Sequence, residues 1–122
     1  MPRSLYAAFF VALLAAMPIS GSAETDNNRF VVFIHAGGGS QEAAQQVALA
    51  LGKEGFVVRR PDNQRDTVGG PGIDYFNQQD AGGAARAASI VNAAMPRGSR
   101  ILPTRLQRAK NPPGYIGVWL FG

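Results

Sequence analysis

Residues 35–40, His-Ala-Gly-Gly-Gly-Ser, combine the only histidine of the chain with three consecutive glycines and a hydroxyl. A strand that ends in such a loop can offer backbone N–H groups to an oxyanion, as in lipases and esterases. The remainder of that machinery is missing, because no G-x-S-x-G elbow occurs and His35 cannot serve both in the loop and as the base. The dinucleotide pattern G-x-G-x-x-G also fails, since Glu42 stands where the third glycine belongs. A Walker loop fails because Lys53 lies far from the glycines. Two readings stay open. Gly37, Gly38, Gly39 and Ser40 form an anion nest at a helix N-terminus, or the glycines only permit a tight turn with positive φ.

The other chemistry-bearing residues are sparse. With one His and no Cys, a metal site has no second strong ligand to recruit. Asp74 with Asp80, or Asp62 with Asp66, would be carboxylate pairs for acid–base work. Both pairs stand in turn-rich sequence where Asp serves as a cap or turn former. Tyr115, Trp119 and Phe121 alternate along one segment and would make a stacking strip for a sugar or peptide, or else a buried core face. Arg97, Arg100, Arg105, Arg108 and Lys110 form a cationic run without an acid, suited to a polyanion or simply to solvent. The expectation is a non-catalytic protein with no cofactor and no metal.

Positioning these residues requires elements, and the hydrophobic pattern supplies them. Phe30–Ile34 is β-branched and aromatic on both faces, as in a central strand. His35–Gly39 reads as the turn, and Ser40 as the N-cap of a helix with Glu42 in its first turn. Ala44, Val47, Ala48 and Leu51 repeat at i, i+3, i+4 and i+7, and Gly55 closes the helix before a Phe56–Arg59 strand. Residues 61–72 are polar and turn-forming, and Gly72–Asn77 reads as a third strand. Asp80 is placed to cap a second helix running to about Ala94, with Ala84, Ala87, Ala88 and Val91 on its apolar face. A brief strand is expected at Ile101–Leu102 and a long one at Tyr115–Phe121. The order β-α-β-β-α-β predicts an α/β (α+β) fold, a small two-layer sandwich with two helices packed on one face of a mixed sheet.

Length and charge bound the rest. Leu5–Met17 is an apolar run of 13 residues behind Arg3, too short for a membrane span and of signal-peptide length. Gly21-Ser22-Ala23 predicts cleavage after Ala23. The chain then divides into a signal peptide at 1–23, a polar leader at 24–29, expected to be disordered after processing, and one domain at 30–122. Of the 12 Lys and Arg only Arg3 lies before the cleavage point, while all 8 acids follow it, so the mature net charge is +3. Without Cys, neither disulfides nor thiol lipidation are open to it. These features point to a periplasmic or secreted protein with no transmembrane segment after cleavage and no nucleic-acid partner.

The segments VVFIHAGGGSQEAAQQVALALGKEGFVVRRPDN and IDYFNQQDAGGAARAASIV together resemble the C-terminal (LytR_C-like) domain of LytR/CpsA/Psr cell-envelope proteins. The matching positions are Val31–Ile34, Gly37–Gly39, Ala44–Leu51, Gly55–Val58, Asp74–Phe76 and Asp80–Val91. The chain departs from that pattern at His35-Ala36, where the family usually has Asn, and these 122 residues hold no segment resembling the family's polymer-transferring domain, so its activity is not expected of them. The resemblance implies an accessory envelope module. The expected partner is peptidoglycan or another anionic cell-wall polymer, and the alternative is a larger envelope protein served by an adaptor.

Overall fold

A computed structural model of the protein describes residues 26–37, 40–61 and 70–121, the last without its side chain. The segment read as a signal peptide, Gly38, Gly39, and Asp62 and Asp66 lie outside these residues. The elements are β1 (Val31–Gly37), α1 (Gln41–Lys53), β2 (Val57–Arg59), β3 (Gly72–Tyr75), a 3₁₀ turn (Gln78–Asp80), α2 (Ala81–Ala94), β4 (Thr104–Leu106) and β5 (Tyr115–Phe121). This is the expected two-layer α+β fold, with two helices on a five-stranded mixed sheet ordered β2-β1-β5-β3-β4.

β1 pairs in parallel with β2 and with β5, β3 pairs in parallel with β4, and β3 runs antiparallel to β5. The two parallel pairs therefore point in opposite directions and step outward toward opposite edges. Crossovers of one hand then place both helices on the same face. Val32 and Ile34 of β1, Ile73 of β3, and Ile116, Val118 and Leu120 of β5 are buried toward that layer. They meet Ala44, Val47 and Leu51 of α1 and Ala84, Ala87 and Val91 of α2, all fully buried. The small alanine faces let the helices approach the sheet and each other closely, so few side chains suffice to fill the core.

Local chemistry sets the ends. The Gly55 N–H donates to the Gly52 carbonyl at 3.1 Å and the Phe56 N–H to the Leu51 carbonyl at 3.1 Å. With Gly55 at φ 97°, this is a Schellman stop for α1. Ser40 holds the N-cap position of α1 but is buried and makes no side-chain capping bond. Asp80 holds the N-cap position of α2, and it does not cap the helix either. Its carboxylate instead accepts the Gly114 N–H at 2.7 Å, which fixes the entry to β5. Gly114 has φ 92°, and a β-carbon there would meet the Arg29 carbonyl oxygen at 2.8 Å, so glycine alone fits. Its carbonyl in turn accepts the Val31 N–H at 2.8 Å and sets β1 beside β5.

Four local expectations are corrected. β1 continues through His35 and Ala36 to Gly37, because β5 offers a seven-residue partner in register from Val31–Tyr115 to Gly37–Phe121. The third strand ends at Tyr75 rather than Asn77, whose amide donates to the Asn111 carbonyl at 3.0 Å. Ile101–Leu102 is not a strand. The Asn92 carboxamide takes up both backbone groups of Leu102, at 2.8 and 3.4 Å, and pairing with β3 begins only at Thr104. The leader belongs to the fold from Asp26 onward. Asn27 is buried, donates to the Glu54 carbonyl at 2.9 Å and accepts from Arg86 Nε at 2.8 Å, while Arg86 also pairs with Asp26 at 3.1 Å.

Candidate functional site

The sheet face away from the helices is organised by register. One row crosses all five strands as Arg59, Phe33, Gly117, Asp74 and Arg105. Next to it His35 stands opposite Trp119, and Val31 opposite Tyr115. The His35 and Trp119 rings stack with centroids 3.8 Å apart and planes 14° apart. Phe33 and Tyr115 pack at 5.1 Å with a 52° tilt. Tyr115 and Trp119 are thus not part of the helix-facing core, whose β5 members are Ile116, Val118 and Leu120.

Two glycines let side chains lie flat on this face. A β-carbon at Gly117 would come within 3.2 Å of Trp119 Nε1, and one at Gly72 within 2.5 Å of the Arg105 guanidinium. Arg105 Nε pairs with Asp74 Oδ1 at 3.0 Å and its Nη2 donates to the Gly70 carbonyl at 3.1 Å. Gln107 Nε2 adds a longer contact of 3.4 Å to the same carboxylate oxygen. Asp74 and Asp80 are therefore held by separate partners, one by Arg105 and the other by Gly114. Among the described residues no group of three or more His, Asp or Glu lies together that could hold a metal ion.

The glycine turn is described only at its ends. Gly37 is the last residue of β1 and Ser40 is buried ahead of α1. Gln41 spans the turn, donating to the Ala36 carbonyl at 3.3 Å and accepting from Arg60 Nη2 at 2.9 Å. That places a cation beside the start of the helix, a neighbour that no short-range pattern in the sequence indicates.

The cationic run divides. Arg97, Arg100, Arg108 and Lys110 are exposed, while Arg105 is half-buried and turned onto the sheet. No Asp or Glu follows Asp80 in the sequence, so acids near these four cations must come from elsewhere in the fold or from a partner. Between Arg97 and Arg108 the chain also exposes Ile101, at 74%, and Leu106, at 49%. A depression of about 410 Å³ opens at Ile101, lined also by Pro71, Arg100, Leu102 and Pro103. The cations were legible in the sequence. Their position along a sheet edge was not, because it depends on β4 pairing with β3.

No family model, curated protein or solved structure matches the chain. Among the described residues no helix is long and apolar enough to cross a membrane.

Proposed function

We propose that the protein is a non-catalytic binding module that acts outside the cytoplasm at the cell envelope, where it engages an anionic wall polymer such as peptidoglycan. The observation that carries this reading is the set of exposed cations Arg97, Arg100, Arg108 and Lys110 on a stretch without acids. Each acts through solvent, so attraction to a polyanion is additive over several residues and screened beyond about 8 Å at physiological ionic strength. Arg105 contributes little to this field because its charge is met by Asp74 at 3.0 Å. The signal-like segment at 1–23 and the resemblance to the LytR/CpsA/Psr C-terminal domain support the same address.

The test is co-sedimentation of the protein lacking residues 1–23 with cell-wall sacculi at about 50 mM and about 300 mM salt. Pelleting at low salt and release at high salt is the expected result. Replacing Arg100, Arg108 and Lys110 by Gln should abolish the low-salt pelleting, whereas replacing Arg105 should not act through charge. Pelleting that ignores salt, or none at either salt, defeats the wall-polymer reading.

A further inference from the structure

We infer that the outer edge of β4 is a docking site for an acidic, extended polypeptide segment of a partner protein, which adds to the sheet as a sixth strand. This rests on the reading of the surrounding cations as an anion-facing surface, and it adds a backbone-recognition element that a featureless polyanion does not use.

Among the described residues β4 ends the strand order and pairs with β3 on one side only. Its inner side is fixed at both ends, since the Ile73 N–H donates to the Pro103 carbonyl and the Gln107 N–H to the Tyr75 carbonyl, each at 2.8 Å. Residues 103, 105 and 107 therefore turn their backbone groups toward β3, and strand alternation turns those of Thr104 and Leu106 outward. Both residues are exposed. The opposite edge is defended. On β2 the outward carbonyl of Val58 accepts a hydrogen bond from Arg59 Nη1 at 3.3 Å, and Arg60 and Pro61 follow at once.

The described residues show no such defence on β4. Leu106 and Ile101 instead offer apolar contacts, and the depression at Pro71, Arg100 and Pro103 has room for a side chain of an added strand. Arg100 lies before the edge, and Arg108 and Lys110 after it. This charge pattern selects the occupant. A second copy pairing through the same edge would bring these cations against themselves, whereas Asp or Glu flanking an extended segment would meet them. Strand addition of this kind draws affinity from main-chain hydrogen bonds and specificity from alternate side chains.

The test uses the purified protein and a displayed library of random linear peptides. Selected sequences should alternate β-branched or apolar residues with Asp and Glu, and a synthetic copy of the best should slow amide exchange at Thr104 and Leu106. Leu106→Pro removes an outward N–H at a position where an edge strand tolerates proline, and should weaken binding at least about tenfold. Arg100→Gln with Arg108→Gln, both at exposed sites that leave the fold intact, should weaken it roughly tenfold at low salt and little at high salt. Selection of no peptide, selection without acidic bias, or protection elsewhere than Thr104 and Leu106 overturns the inference. Sacculi run in parallel separate the two readings. Sacculi bound without peptides removes the strand-docking site alone, peptides bound without sacculi removes the wall polymer alone, and neither bound removes both.

Discussion

Gly83 and Gly82 are neighbours on α2 whose replacement by alanine should act in opposite directions. Both stand in the first turn of the helix, where Gly→Ala gains less than the roughly 1 kcal/mol of a helix interior, through reduced backbone freedom in the unfolded chain. At Gly82 nothing opposes that gain, because the nearest atom to an added β-carbon is Arg86 Nη1 at 3.8 Å. At Gly83 the β-carbon would lie 2.5 Å from Phe30 Cε1 and 2.7 Å from Cε2, and closer still to Cζ. The ring has little room to retreat. Phe30 is 1% exposed, packs on Phe56 at 6.1 Å, and has the Arg29 guanidinium 5.0 Å and the Arg86 guanidinium 5.8 Å from its centroid. Overpacking of this kind costs typically 1–3 kcal/mol, so Gly83→Ala should be destabilised by about 1 kcal/mol net, and Gly82→Ala stabilised by less than about 1 kcal/mol. For a domain of this size about 1 kcal/mol corresponds to about 4–8 °C in Tm, the shift running down for one variant and up by less for the other. Thermal and urea unfolding of both variants measure it. A Gly83→Ala protein as stable as the parent would refute the reasoning, since it would mean that Phe30 is not the wedge that demands glycine.

Two further perturbations probe the polar ties. Asp80→Ala strands the Gly114 N–H, whose only described acceptor is a carboxylate 3% exposed, and should cost about 1–3 kcal/mol by urea unfolding, with faster amide exchange at Gly114. An unchanged urea midpoint would show that water or another acceptor replaces it. For the ion pair, Arg105→Ala leaves the buried Asp74 carboxylate without its nearest cation and should cost about 3 kcal/mol. The Asp74→Ala/Arg105→Ala double variant should lose less than the sum of the singles by at least about 1 kcal/mol. Arg108→Ala, on the surface two residues beyond β4, should change stability by less than about 0.5 kcal/mol, so equal losses at Arg105 and Arg108 would contradict the assignment of internal and external cations.

What the sequence made legible was whatever local periodicity encodes. The faces Ala44-Val47-Ala48-Leu51 and Ala84-Ala87-Ala88-Val91 are helix stripes, and all of these residues are buried in the structure except Ala48, which is half-buried against the core. Gly55 marked the end of α1 through a motif that spans only a few residues. The errors fall where a distant partner decides. His35 looked like a turn residue because glycines follow it, yet β5 draws it into the sheet opposite Trp119. Asp80 looked like a helix cap, yet it bonds Gly114, 34 residues away. Leu102 looked like a strand residue, yet its backbone is met by the Asn92 side chain. Arg105 looked like one of five equivalent cations until β4 placed it beside Asp74.

That last distinction bears on where a small two-layer fold can bind anything. One face of the sheet is spent on the helices. The other is largely self-covered: Trp119 lies over Gly117 against His35, Phe33 packs on Tyr115, and Arg105 lies over Gly72 onto Asp74. A ligand entering there would have to displace ring stacks and a half-buried ion pair, losing contacts as it gained them. The β4 edge requires no such displacement. Thr104 and Leu106, the exposed Ile101 and the cations at either end already face solvent, so strand addition or polyanion contact leaves the described internal packing as it stands. The same register that turns Arg105 inward turns Thr104 and Leu106 outward, and this is why the edge, more than the aromatic face, is the surface on which binding is expected.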